Sequence, residues 1–167
     1  MEVSIVITKY MFDYEIEQDH VVTNTTLFIC DEITELTKNL KELHERYAKR
    51  AIEVYSGRNR NVFRMPGGYV VKIPTCMDGI ADNDWEGSLS NSEEGTGFDI
   101  GYIQYARTRM GYYKDIPIVF MEYVEFLPSS KIKERYGKQP DWCWSVDCGQ
   151  VGSNKYGRLV AFDYGCR

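Results

Sequence analysis

Histidine is scarce in this 167-residue chain: His20 and His44 are the only two. The five cysteines, at positions 30, 76, 143, 148 and 166, form no Cys-x-x-Cys pair. A structural zinc site draws four such ligands from short, paired spacings, so no zinc site is expected. There is no signal-peptide pattern and no apolar run of about 18 residues, which excludes a membrane-spanning helix. Free thiols in a reducing cytoplasm are the expectation. An excess of positive charge is lacking as well, since the formal net charge is −5. Residues 1–31 hold six acids against one base, 32–56 hold five of each, and 57–167 hold fourteen of each. A general nucleic-acid binder presents a basic face, so that class is excluded. The acidic start reads as a solvated surface, with a basic protein partner as the alternative.

What is present is ordinary for a globular domain: 43% apolar and 27% charged residues. A chain of this length buries roughly 70% of its unfolded surface and folds as one domain, or one domain with a small appendage. Thirteen tyrosines favour strands.

Val3 to Thr8 and the Thr-rich Val21 to Cys30 read as strands joined by an acidic segment. Asp31 reads as an N-cap with Glu32 and Glu35 in the first turn. Ile33, Leu36, Leu40, Leu43, Tyr47, Ala51 and Val54 then recur at helical spacing, which predicts an amphipathic helix of about twenty residues, Asp31 to Ile52. Beyond Ser56-Gly57 the texture becomes β. Asn61 to Met65 and Tyr69 to Ile73 flank the turn Pro66-Gly67-Gly68. Asp78 to Gly97 is polar, with a short helix at Asp84 to Ser90. Ile100 to Tyr113 and Ile116 to Val124 form a hairpin turned at Lys114-Asp115. Ser129 to Tyr136 is helical, and a last hairpin has Asn154 to Gly157 at its tip.

Lys72 lies in the apolar run Gly68-Tyr69-Val70-Val71-Lys72-Ile73-Pro74. Its side chain points away from the face of Val71 and Ile73. On a sheet covered on both sides it requires an acidic partner. Glu86, fourteen residues on, is the candidate. Glu122 ends the apolar strand from Ile116, and Asp163 ends the strand Arg158 to Phe162. A carboxylate delivered by a buried strand, then an aromatic and a glycine, is a common way to present a metal–phosphate ligand.

In their order, Lys72, Glu86, the segment Val119-Phe120-Met121-Glu122-Tyr123-Val124 and Asp163-Tyr164-Gly165 match four elements of the protein-kinase fold. These elements are the strand-three lysine, the helix-C glutamate, the hinge and the metal-binding aspartate motif. Residues 55–167 resemble the small kinase-like proteins of bacteria and their phages. In those a Val-x-Lys strand is followed by a Gly…Asn…Glu stretch, here Gly79, Asn83 and Glu86. Gln150 precedes Asp163 by thirteen residues, the family's spacing between catalytic-loop amide and metal-binding aspartate.

The resemblance implies an α+β fold. An antiparallel β-sheet with a packed helix would resemble a kinase small lobe, completed by a minimal C-terminal hairpin. Residues 1–54 would be an appended layer and 55–167 the kinase-like domain. It implies ATP and Mg²⁺ as cofactors, with Lys72 on the α- and β-phosphates and Glu86 orienting Lys72. Backbone at Glu122 and Val124 would meet the adenine, while Asp163 and Gln150 would hold Mg²⁺. Asp147 is the candidate catalytic base.

The pattern also departs from the family. Gly57-Arg58-Asn59-Arg60-Asn61 holds one glycine in place of Gly-x-Gly-x-x-Gly, so Arg58 or Arg60 would cover the phosphates. No His-Arg-Asp precedes Gln150, and Asp147 stands three residues before it rather than five. With Arg167 four residues after Asp163, no helical substrate lobe is expected. Two functions follow: phosphate transfer to a small molecule or a host protein, or a pseudokinase that binds and inhibits a protein without catalysis. If phage-encoded, its partner would be a bacterial host protein. An unrelated β-rich adaptor with an acidic docking face is the third reading.

Overall fold

The computed structural model describes residues 24–90, 99–100, 103–146 and 149–163. Its first helix, α1 (Asn24–Ala48), replaces the strand expected to run to Cys30 and begins upstream of the expected N-cap Asp31. The spacing of Ile29, Ile33, Leu36, Leu40, Leu43 and Tyr47 continues the helical stripe back through the Thr-rich stretch, and this period outweighs β propensity. The helix stops short of Ile52, whose N–H instead donates to Arg64 O at 2.8 Å. Val3 to Thr8 lies outside the described residues.

Three strands follow: β1 (Glu53–Ser56), β2 (Arg60–Met65) and β3 (Tyr69–Pro74). Gly67 and Gly68 turn the chain between β2 and β3 at φ of +100° and +80°, a region glycine enters without steric cost. Helix α2 (Met77–Ser90) is longer than the expected Asp84 to Ser90. Its buried face carries Gly79, Asn83, Glu86 and Gly87, so no apolar stripe announces it.

Short strands β4 (Asp99–Ile100) and β5 (Ile103–Gln104) pair with each other where one long strand was expected. Then come β6 (Thr108–Tyr113) and β7 (Ile116–Glu122). Lys114 and Asp115, at φ 46° and 66°, make their two-residue turn in the left-handed conformation such hairpins require. The chain continues through β8 (Val124–Phe126), α3 (Ser129–Tyr136), a 3₁₀ turn at Asp141–Ser145, β9 (Val151–Asn154) and β10 (Leu159–Ala161).

The fold is α+β, as expected. Five antiparallel strands lie in the order β1-β2-β3-β7-β6, and a three-stranded sheet has the order β10-β9-β8. One face of the larger sheet packs Phe63, Met65, Val71, Ile73, Ile116 and Ile118 against Leu40 and Leu43 of α1. Each such buried side chain contributes about 1.5–3 kcal/mol of transfer free energy. Helix α1 therefore shares the core of the sheet. Strand alternation sends Val70, Val119 and Met121 to the opposite face, where they meet Val124 and Val160 of the smaller sheet. Lys72 belongs to this second face. No helix among the described residues is long and apolar enough to cross a membrane.

Candidate functional site

The register of β2 on β3 opposes Val62 to Lys72 and Arg60 to Pro74. With a period of two along each strand, Arg60, Val62, Val70 and Lys72 share one face. Burial of Arg60 and Lys72 there is nearly complete, and each ion finds an acid. Lys72 Nζ lies 2.8 Å from Glu86 Oε1, and Arg60 Nη1 lies 2.8 Å from Glu86 Oε2. The Glu86 carboxylate is fully buried between these two cations.

Asp163, just beyond β10, completes the group. Arg60 Nη2 donates to its Oδ1 at 2.5 Å, and Lys72 Nζ is 3.6 Å from the same oxygen. Lys72 also donates to the carbonyl of Phe162 at 2.8 Å. Two acids and two bases thus form a quartet whose formal charges cancel. Such pairing is the condition for holding ions away from water. Burial works against the charge of the Arg60 guanidinium, but Glu86 and Asp163 more than offset it, so its pKa is raised.

Helix α2 is docked so that Glu86 arrives in register. The Asn83 amide donates to the carbonyls of Lys72 (3.0 Å) and Pro117 (2.9 Å), and its oxygen accepts from Arg60 Nη1 at 3.3 Å. One turn earlier, Gly79 lies against the backbone of Asn59: a Cβ there would stand 2.0 Å from the Asn59 oxygen. That oxygen already accepts from Thr75 N. Gly79, Asn83 and Glu86 therefore fall on one helix face for three separate reasons: close approach, backbone bridging and ion pairing.

Lys72 and Asp163 stand at the polar end of a cavity of about 390 Å³, within the range of small-molecule sites. Its walls are apolar: Val62, Val70, Met121, Val124, Phe126 and Phe162. Gln150 lines the same cavity, and its carbonyl accepts from Phe162 N at 3.1 Å. Glu122 and Tyr123 border the far end. Glu122 Oε1 accepts from Arg107 N at 3.0 Å and from Asn154 Nδ2 at 3.2 Å, so that carboxylate fastens the two sheets together.

Of the residues expected to form a site, Lys72, Glu86, Arg60 and Asp163 are brought into one network, and Gln150, Glu122 and Val124 line the adjoining cavity. Arg58 is exposed. Asp147 lies outside the described residues, as do Tyr164 and Gly165. Two elements had no motif to mark them. The cavity walls are ordinary apolar strand residues, and the inward course of Arg60 shows only in its alternation with Val62. Comparison of the chain with protein-family models, with curated proteins and with solved structures finds no match.

Proposed function

We propose that this chain is a kinase-like nucleotide-binding domain that binds without established transfer. The observation that carries the reading is the convergence of Lys72, Glu86 and Asp163, from β3, α2 and the end of β10, at the polar end of an apolar cavity. A planar base would lie between Val62 and Val70 above and Phe162 below, with its edge toward Glu122 and Val124. Its phosphates would reach Lys72. This is the arrangement the kinase resemblance implies, built from residues named on sequence grounds.

A second reading, a pseudokinase-type protein that binds and inhibits another protein, is favoured by one observation. Arg60 neutralises the acid that a phosphotransferase keeps for its metal. Under that reading the neutral quartet is a structural lock and the fold a rigid scaffold.

Thermal denaturation with and without ATP separates the two. Nucleotide binding at micromolar affinity raises the melting temperature by a few degrees at millimolar ligand. The rise should be absent in Lys72→Ala. No rise for the wild-type chain with ATP, in buffers with or without Mg²⁺, would leave the scaffold reading.

A further inference from the structure

Mg²⁺ is what the kinase resemblance implies at Asp163, but the residues around that carboxylate do not fit it. A hard divalent cation collects oxygen ligands in octahedral geometry, commonly one or two carboxylates with water and phosphate. Here Asp163 Oδ1 receives Arg60 Nη2 at 2.5 Å and has Lys72 Nζ at 3.6 Å. The other acid, Glu86, is fully buried with one oxygen on Lys72 and the other on Arg60. Among the described residues, no three His, Cys, Asp or Glu side chains gather where they could hold a metal. A dication on Asp163 would share that carboxylate with two monocations already placed against it.

Arg60 is also held against displacement. Its guanidinium reaches Glu86, Asn83 and Asp163 from the buried side of the network, and the residue is only 6% exposed. The chain places this arginine at the start of β2, two residues before Val62, which forms the cavity wall. It therefore holds a fixed positive charge behind Asp163, outside the cavity lining but on the carboxylate where a metal would otherwise be recruited.

We propose that Arg60 takes the divalent cation's place on Asp163, so that the cavity accepts a purine nucleotide without metal. The inference rests on the nucleotide reading for its ligand, but its claim about Asp163 stands apart from that ligand. Lys72 meets the phosphates, Arg60 neutralises Asp163 from behind so that this acid does not repel them, and affinity does not depend on Mg²⁺.

Two measurements on the full chain test this. The first titrates Mn²⁺ alone, followed by electron paramagnetic resonance. The wild-type chain should bind no Mn²⁺ below about millimolar concentration, whereas Arg60→Ala and Arg60→Gln should gain a site that Asp163→Asn removes again. Arg60→Gln keeps N–H donors facing the acids, should Arg60→Ala fail to fold. A wild-type Mn²⁺ site that disappears in Asp163→Asn, or folded Arg60 variants that gain none, would overturn the proposal. The second measures ATP binding by calorimetry in EDTA and in Mg²⁺. Dissociation constants within about twofold are expected, and about tenfold tighter binding with Mg²⁺ would overturn it. If ATP binds in neither buffer the nucleotide reading fails, while the Mn²⁺ titration still decides what occupies Asp163.

Discussion

Arg60 Nη2 and Asp163 Oδ1 are 2.5 Å apart, although 103 positions separate the two residues in the chain. This contact ties the second strand of the large sheet to the end of the smaller one. It also joins two carboxylates and two cations into one network. Such a network is weak evidence of net stability, because desolvating four ions offsets most of their attraction. Removing one member is a different matter, since it strands the others.

Glu86→Ala should therefore be the most damaging single change. It leaves Arg60 and Lys72 buried side by side with only Asp163 between them, and about 3–5 kcal/mol of stability should be lost. Urea denaturation measures this. A loss below about 1 kcal/mol would mean that water enters and solvates both cations.

Gly79→Ala should also destabilise, by about 1–3 kcal/mol, because the new methyl meets backbone rather than a movable side chain. Helix α2 would have to shift, carrying Asn83 and Glu86 out of register. Gly87→Ala meets the flexible end of Met110 first, where a Cβ would lie 2.2 Å from Cε. Its cost should be smaller, and equal losses at the two glycines would show that backbone contact is not the distinction.

His44 gives the fold an acid-sensitive element. Its ring is buried, Nδ1 donates to Leu40 O at 2.7 Å, and Nε2 has no partner among the described residues. Burial lowers its pKa below 6.5, and the Leu40 bond only partly opposes this. The unfolded chain thus binds the proton first as pH falls. The contribution of neutral His44 is whole above about pH 6.5 and declines below it, by at most about 1.4 kcal/mol per pH unit. In His44→Phe, which keeps a ring beside Phe63, the fall in stability between pH 7 and 5 should be shallower. Urea midpoints across that range provide the check. Identical slopes in the two proteins would assign the effect to other groups.

Filling the cavity should separate binding from folding. Val62 is half-buried and faces the cavity. Val62→Phe adds volume there without cutting the Phe63 side of the sheet. The melting temperature without ligand should stay within a few degrees, while the rise produced by ATP should disappear. A retained rise would place the nucleotide elsewhere.

The parts of this fold legible in the sequence are those governed by local chemistry. Pro66-Gly67-Gly68, Lys114-Asp115 and Asn154 to Gly157 mark turns, and the apolar runs between them mark strands. Lys72 was legible for the same reason: an ammonium within an apolar strand needs an acid. Helix α2 was only half legible, because its buried face uses glycine, asparagine and glutamate, and burial by polar bonding leaves no hydrophobic period. The start of α1 differs from the strand expected there because a Thr-rich, β-branched run also carries a helical stripe. Arg60 was legible as a candidate beside Arg58, and its inward course only through its alternation with Val62. Whether a strand arginine turns outward to solvent or inward to a carboxylate depends on partners 26 and 103 residues away.

The order in which the quartet is synthesised has a consequence for folding. Arg60, Lys72 and Glu86 come together within one local stretch of chain, and until Asp163 arrives that trio carries an uncompensated positive charge. The last hairpin therefore brings more than apolar surface to its docking site: it brings the counter-ion. Long-range contacts of this kind form late, after their loop-closure entropy has been met. A chain arrested before β10 would hold a finished large sheet with a charged, unsealed face.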